Sequence, residues 1–127
     1  MAEKKPKNIF VEGSISPVKI GEDIANHQKK TSIGAHSIFL GQVRADSLSD
    51  GVVSAIEYSA HKEMALIAMD EIREAIFAKY PLTCLHVTHS LGLVKVGEIC
   101  LFVFVSSPHR HSAFDACQYI VERIKAE

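Results

Sequence analysis

The stretch EICLFVFVSSPHR, residues 98–110, combines the two strongest structural signals in this chain. Its first part, 98–106, is an almost unbroken apolar run. Strands covered on both faces carry such runs, whereas half-exposed strands alternate apolar and polar residues. We therefore predict a central strand at 98–106 with protein packed on both of its faces.

A helix is predicted directly after this strand. Ser107 supplies a hydroxyl N-cap, and Pro108 is a first helical residue with no amide proton to leave unpaired. His109 and Arg110 then fall in the first turn, where free N–H groups attract anions and a further cation is mildly unfavourable. Two interpretations stay open: an oxyanion or phosphate binds here, or Arg110 pairs with an acidic neighbour.

Helical spacing divides this last helix into a buried and an exposed side. Arg110 falls on the buried side and Lys125 at its edge, so Arg110 is expected to point toward the protein body or a partner. The predicted buried stripe is Ala113, Phe114, Cys117, Ile120, Val121 and Ile124.

Hydrophobic periodicity and turn residues divide the rest of the chain into strands and helices. Ser16 and Pro17 begin a helix predicted to extend to about Lys30, and Pro81 ends a second helix at 60–79. The buried stripe predicted for the second helix is Ala65, Ala68, Met69, Ile72, Ala75 and Ile76. Strands are predicted at 8–15, 34–44, 52–59 and 82–91, with a loop at 45–51. The order β-α-β-β-α-β-β-α gives an α+β sandwich in which helices pack on a largely antiparallel sheet.

Composition is that of one soluble globular domain, residues 1–127. The formal net charge of −1 gives no whole-chain reason to expect nucleic acid or an acidic membrane as a partner. The N-terminal MAEKKPKN lacks the apolar region of a secretory signal, and no stretch approaches the roughly 20 apolar residues of a membrane span. A cytoplasmic protein is expected.

The histidines give no metal-binding spacing. His86 and His89 fall on opposite faces of a strand, and His109 and His111 diverge by about 200° on a helix. The chain contains no Cys-x-x-Cys or His-Glu-x-x-His motif. We therefore predict no metal site.

The cysteines are odd in number, which fits a reducing compartment better than a disulfide framework. Cys100 and Cys117 lie in apolar segments and are expected in the core. Cys84, at a strand start, is expected to be more open but has no adjacent base. No catalytic cysteine is predicted.

Four motifs carry a resemblance to a known family: FLGQVR at 39–44, KYP at 79–81, HSLGLVKVGE at 89–98 and VSSPHRHSAFDACQYIVERIK at 105–125. In this order, over nearly the whole chain, they resemble the large, catalytic subunit family of molybdopterin synthase. The most specific parts are the GxVR strand end and the SxHRxxAF helix start. The resemblance implies an α/β-hammerhead fold.

The resemblance also implies an activity in molybdenum cofactor biosynthesis. The family transfers sulfur from the thiocarboxylated C-terminal Gly-Gly of a small ubiquitin-like subunit to cyclic pyranopterin monophosphate, forming the molybdopterin dithiolene. It needs no metal or other cofactor for this step. The implied assembly is a homodimer of large subunits with a small subunit at each end, a heterotetramer.

Site residues follow from the same motifs. Lys125 and Arg44 are the implied catalytic residues, and His109 and Arg110 match the family's anion-binding pair. Phe39 would wall the pocket. The full set implied to bind substrate is Phe39, Gln42, Val43, Arg44, His109, Arg110 and Lys125.

Helix geometry limits how these residues meet. Arg110 and Lys125 are fifteen residues apart, about 22 Å along an unbroken helix. Either the helix breaks, or one site combines Arg44 and Lys125 of one subunit with His109 and Arg110 of the other. We predict the shared site, which agrees with the implied homodimer.

The sequence departs from the family pattern at its end. The family continues beyond Lys125 into an apolar-Trp-Lys segment with a second functional lysine, and we expect this tail to be missing here. Two alternatives stay open: a non-catalytic anion-binding paralogue, and another small phosphoryl-handling enzyme that uses Arg44 and Arg110 as an anion clamp.

Overall fold

A five-stranded sheet with three helices forms the body of the computed structural model, which describes residues 9–48, 51–52 and 54–126. The strands are β1 (Phe10–Glu12), β2 (Ala35–Gln42), β3 (Ser47–Leu48), β4 (Gly51–Val52), β5 (Ala55–Tyr58), β6 (Cys84–Lys95) and β7 (Ile99–Ser107). The helices are α1 (Pro17–His27), α2 (Lys62–Lys79) and α3 (Arg110–Ala126).

The sheet has the strand order β1-β6-β7-β2, and β5 also pairs with β6. Only the β1–β6 pair is parallel among the described strands; the other pairs are antiparallel. The predicted α+β class with a largely antiparallel sheet is therefore confirmed. The segment predicted as a plain loop at 45–51 instead contains β3, which pairs with β4 in a separate two-stranded ribbon.

The central strand β7 is covered on both faces, as its apolar run predicts. Every residue from Leu101 to Ser107 is buried. On one face Leu101, Val103 and Val105 pack with buried residues of α2 and α3. On the other face Phe102 and Phe104 form a smaller cluster with residues of α1 and the segment before it. Each large apolar side chain buried in this way contributes about 1.5–3 kcal/mol.

Local signals set the ends of α1 and α2. The Ser16 hydroxyl accepts a hydrogen bond from the Val18 N–H, and Pro17 is the first helical residue. The predicted start of α1 is confirmed, although the helix ends three residues before Lys30. Tyr80 has extended backbone because it precedes Pro81, and α2 ends there.

The start of α3 differs from the prediction. Ser107 is the last residue of β7 and pairs with Ala35, so it does not cap the helix directly. Its hydroxyl accepts from the His109 N–H at 3.2 Å, and α3 begins at Arg110. Because β7 pairs with β2 through Ser107, the helix begins two residues later than the serine-proline signal predicts. His109 therefore flanks the helix, and Arg110 opens it.

The buried stripe of α3 is narrower than predicted. Ala113, Cys117, Ile120 and Val121 are buried, but Phe114 is 58% exposed. On α2, the predicted positions Met69, Ile72 and Ile76 are buried and Ala75 is exposed. In the described part of the chain, no helix has both the length and the apolar character needed to cross a lipid bilayer.

Candidate active site

Strand β2 and helix α3 together present the predicted site residues. Strand β2 lies at one end of the sheet order and pairs with β7. Its side chains alternate, so Phe39 is half-buried against the main core while Ile38 and Leu40 are exposed on the other face. Since β2 runs antiparallel to β7 and α3 turns back after β7, β2 and α3 end at the same side of the sheet.

Lys125 meets Phe39 at that end. The Lys125 Nζ lies 5.4 Å from the centroid of the Phe39 ring, within cation–π range. The lysine is exposed and the ring is half-buried. The structure thus brings together two of the residues that the family motifs select, and the ring favours this position of the ammonium group.

Val43 anchors the strand end that carries Arg44. Its N–H donates to the Glu98 carbonyl at 3.0 Å, and its own carbonyl accepts from the Gly97 N–H at 2.9 Å. The Val43 side chain is only 2% exposed. In the isolated chain Val43 therefore positions its neighbours, while Gln42 and Arg44 on either side of it are exposed.

Arg44 is held by Asp46 through a forked contact. Its Nε and Nη2 donate to the two carboxylate oxygens at 2.6 and 3.3 Å. The hydrogen bond and the charge of Asp46 raise the pKa of Arg44 above its usual value. Both side chains are well exposed, at 84% and 49%, so solvent screening makes this pair weak. Another anion can therefore compete with Asp46 for Arg44.

His109 and Arg110 lie at the opposite end of α3. Both are exposed, and within residues 9–48, 51–52 and 54–126 no acidic side chain forms an ion pair with Arg110. The alternative that Arg110 serves a structural ion pair is therefore not supported by the described residues. The chain leaves its guanidinium group accessible to an anion.

Gly34 sets the backbone around this helix start. Its N–H donates to the Ser107 carbonyl at 3.0 Å. A Cβ at position 34 would clash with the Pro108 carbonyl oxygen, so any larger residue forces the backbone apart. The close approach of these two segments positions His109 and Arg110.

Lys125 and the His109–Arg110 pair are far apart within one chain. Helix α3 is continuous from Arg110 to Ala126, which excludes the predicted option of a broken helix. At 1.5 Å per residue, Arg110 and Lys125 are separated by about 22 Å along its axis. The Phe39–Lys125 pair and the His109–Arg110 pair therefore lie at opposite ends of α3.

Comparison with known proteins identifies the family. The family model described as MoaE protein matches residues 14–127. The chain belongs to the MoaE family.

Curated members of the MoaE family are similar over most of their length. The molybdopterin synthase catalytic subunit of Pyrococcus abyssi is 35% identical over 122 residues, covering 96% of this chain and 75% of that protein. The catalytic subunit of Thermoplasma volcanium is 40% identical over 117 residues, covering 91% and 81%. These relatives confirm the resemblance inferred from the motifs and the classification of the chain as an enzyme subunit.

Solved structures of MoaE-family proteins support the fold. Molybdopterin synthase from Staphylococcus aureus superposes with a TM-score of 0.79 at 30% identity, covering 97% of this chain and 85% of that chain. A complex of subunits 1 and 2 of the molybdopterin-converting factor from Helicobacter pylori superposes with a TM-score of 0.76. At 15% identity, the latter likeness concerns the fold alone.

Asp46 is the part of this MoaE-family site that sequence reasoning missed. It lies two residues after Arg44, in the segment predicted as a loop. The signal available in the sequence is an acidic residue two positions after an arginine at a strand end. Because the Asp46 carboxylate already binds the Arg44 guanidinium group, any anion that binds Arg44 must compete with it.

Proposed function

We propose that this chain transfers sulfur from the thiocarboxylated C-terminus of a small carrier subunit to cyclic pyranopterin monophosphate, forming the molybdopterin dithiolene. The observation that carries the proposal is the similarity to molybdopterin synthase catalytic subunits over almost the whole chain. The exposed cations Arg44, Arg110 and Lys125, together with His109, supply the charge that an anionic substrate and a carboxylate tail require.

The reaction places definite demands on the site. The carrier's sulfur forms a bond to a pterin carbon, replacing a carbon–oxygen bond, and the carrier stays attached through an acyl–sulfur bond. Water then cleaves that bond, so the carrier leaves as a carboxylate and the sulfur stays. Two such transfers use two carriers; in one the displaced oxygen belongs to the cyclic phosphate, which opens, and in the other the displaced oxygen leaves as water.

Each cation has a role in this scheme. Arg44 and Arg110 bind the phosphate by forked hydrogen bonds, and His109 adds a further donor. They stabilise the negative charge that develops as the ring opens. Lys125 stabilises the oxyanion of the acyl–sulfur step or transfers a proton to it. Phe39 holds the lysine at the pocket wall.

The complete site is shared between two copies of the chain. Arg44 and Lys125 of one subunit join His109 and Arg110 of its partner, because the continuous α3 separates the two groups within one subunit. Exposed apolar side chains supply surfaces for pairing on both sides of the edge strand β2: Ile38 and Leu40 on one face of the sheet, and Phe114 of α3 on the other. In this arrangement a small carrier subunit binds at each end of the dimer.

The first test is a single-turnover assay of the chain with a thiocarboxylated carrier and cyclic pyranopterin monophosphate, with dithiolene product quantified. The parent should form product, and Lys125→Ala should reduce its rate by at least about 100-fold. Lys79→Ala is the matched control, because Lys79 also lies over an aromatic ring, 4.5 Å from the Tyr119 centroid. Parent protein that turns over no substrate would favour the non-catalytic paralogue.

Mixing two inactive variants tests the shared site. Lys125→Ala and Arg110→Ala subunits, unfolded and refolded together, form mixed dimers in which one of the two sites is intact. Random pairing restores about a quarter of parental activity if the site is shared, and none if each subunit holds a whole site. Recovery indistinguishable from the separate variants would refute the shared arrangement.

A further inference from the structure

The structure assigns a zinc-binding site to His27, Cys84 and His86, on the face of the sheet that α1 covers. The Nε2 or Nδ1 atoms of the two histidines and the Sγ of the cysteine all lie within 4.8 Å of one another. None of these residues belongs to the proposed sulfur-transfer site, so the inference does not depend on that function.

The ligand atoms are close to the spacing that zinc requires. The two Nε2 atoms are 2.9 Å apart. Tetrahedral Zn²⁺ with bonds of 2.0–2.1 Å to nitrogen and 2.3 Å to sulfur separates its ligand atoms by about 3.3–3.7 Å. A shift of about half an ångström in two side chains, with the His86 Nε2 proton lost to its own Nδ1 or to solvent, therefore converts the histidine pair into a ligand pair.

The hydrogen bonds of His27 orient it as a ligand. Its Nδ1 lies 2.7 Å from the Asp23 carbonyl oxygen. A carbonyl only accepts, so Nδ1 carries the proton and the Nε2 lone pair faces His86. Metal-binding histidines are held in this way, with the other ring nitrogen donating to a backbone carbonyl.

Cys84 completes the set with a thiol that sequence reasoning expected to be open. It is instead 5% exposed, and the Lys30 ammonium group donates to its Sγ at 2.9 Å. Lys30 is an exposed, flexible side chain that has room to leave the sulfur. Zinc binding replaces this cation and releases the thiol proton to solvent, because the thiolate is the ligand.

Two of the three proposed ligands lie beside an open cavity. His27 and His86 line a cavity of about 460 Å³ beside β1 and α1. This gives the ion an entry path and leaves room for a water as the fourth ligand. Two imidazoles and one thiolate suit Zn²⁺ better than the hard cations Mg²⁺ and Ca²⁺, which prefer oxygen.

The bound ion would cross-link α1 to the sheet. Helix α1 packs there through a small cluster whose buried members are Ile15, Ile20, Phe102 and Phe104. A metal held by α1 on one side and β6 on the other would reinforce this contact, and zinc should therefore raise the thermal unfolding midpoint.

Spacing within single elements does not reveal this site. His86 and His89 lie on opposite faces of the strand, whereas Cys84 lies two residues from His86 on the same face. The Cys-x-His pair in a strand was the available signal. Its partner, His27, comes from a distant helix end.

Cobalt titration of the chelator-treated, reduced chain tests the site. Co²⁺ should bind with one-to-one stoichiometry and give both tetrahedral visible bands and a thiolate-to-cobalt charge-transfer band, and Zn²⁺ should abolish them. Cys84→Ser should lose the charge-transfer band, and it and His86→Gln should each lower affinity by more than about 100-fold. Cys100→Ser and His36→Gln are the matched controls and should bind as the parent does.

A measurement on the unmodified chain guards against variants that fail to fold. Zinc X-ray absorption of the one-to-one complex should report two nitrogen ligands at about 2.0–2.1 Å and one sulfur at about 2.3 Å. A zinc spectrum without sulfur, a parent that does not bind Co²⁺, or a Cys84→Ser variant that keeps the charge-transfer band would overturn the proposal.

Discussion

The Lys125 ammonium group lies 5.4 Å from the centre of the Phe39 ring, where the last helix crosses the end of β2. The contact is worth about 0.5–1 kcal/mol at an exposed position. That is weak enough for substrate to draw the lysine away and strong enough to bias its resting position. The aromatic ring thus acts as a holder for the proposed catalytic cation.

Replacing the ring tests this role. Phe39→Leu keeps most of the buried volume, so the free energy of unfolding should fall by less than about 1.5 kcal/mol. It removes the ring that holds Lys125, and the single-turnover rate should fall several-fold. Phe77→Leu is the matched control, because Arg73 lies over the Phe77 ring at 5.0 Å and the pair lies outside the site. Equal rates for the two variants would contradict a holding role for Phe39.

Removing the ion pair between Arg44 and Asp46 should increase the affinity of the chain for its anionic substrate. Asp46→Asn removes the carboxylate that occupies the guanidinium group, so the affinity for cyclic pyranopterin monophosphate should rise by up to about fivefold. Isothermal titration measures it directly. Asp23→Asn breaks the comparable exposed pair with Lys19 and should change nothing. Weaker binding by Asp46→Asn would mean that Asp46 positions Arg44 for the substrate.

Two glycine substitutions should act in opposite directions. Gly34→Ala forces a Cβ against the Pro108 carbonyl and should lower the free energy of unfolding by about 1–3 kcal/mol. Gly21→Ala, within α1 and with nothing in contact distance, should raise it by about 0.5–1 kcal/mol. Urea unfolding measures both.

The Gly34 variant should also affect the helix start. Displacement of Pro108 moves His109 and Arg110, so phosphate affinity should fall with it, whereas Gly21→Ala should leave it unchanged. A Gly34→Ala variant with parental stability would contradict the close approach of the two segments.

Stability should decline in alkaline solution. Burial and the neighbouring Cys100 raise the pKa of Tyr58 to about 12, and burial raises the pKa of Cys117 despite an opposing hydrogen bond from Ser37. Unfolded cysteine and tyrosine lose their protons near pH 8.5 and about 10, so above these values the unfolded chain binds fewer protons. Folding is then progressively disfavoured from about pH 8.5 toward 12.

Urea unfolding of the reduced chain at neutral and alkaline pH measures this slope. Tyr58→Phe should flatten it above pH 10, since phenylalanine has no proton to lose, while Tyr80→Phe controls for removal of a phenol elsewhere. A slope unchanged by Tyr58→Phe would assign the alkaline transition to other groups.

Sequence alone predicted the elements whose determinants are local. The apolar run of β7, the Ser16–Pro17 start of α1 and the end of α2 before Pro81 depend on neighbouring residues, and the structure confirms them. The start of α3 was placed two residues early because Ser107 pairs with Ala35, a contact that no local pattern contains. Tertiary pairing decided that boundary.

The same limit applies to the candidate sites: motifs predict individual residues, but they do not predict contacts between distant elements. Phe39 and Lys125 could be selected from family motifs, but their contact depends on how α3 crosses β2. Phe114 was assigned to the core because a helical wheel cannot tell where the sheet beneath it ends. His27, Cys84 and His86 were missed since their proximity arises only when α1 folds over β6.

Strand β2 pairs with β7, the last strand of the chain, and β1 pairs with β6. Both partners are distant in sequence, so folding must close long loops before these contacts form, which places the chain among slower-folding domains. During synthesis β2 leaves the ribosome long before β7 exists, so its backbone groups and the Phe39 side chain lack the partners that the later elements supply. The final quarter of the chain therefore controls when the nascent protein stops being prone to aggregation.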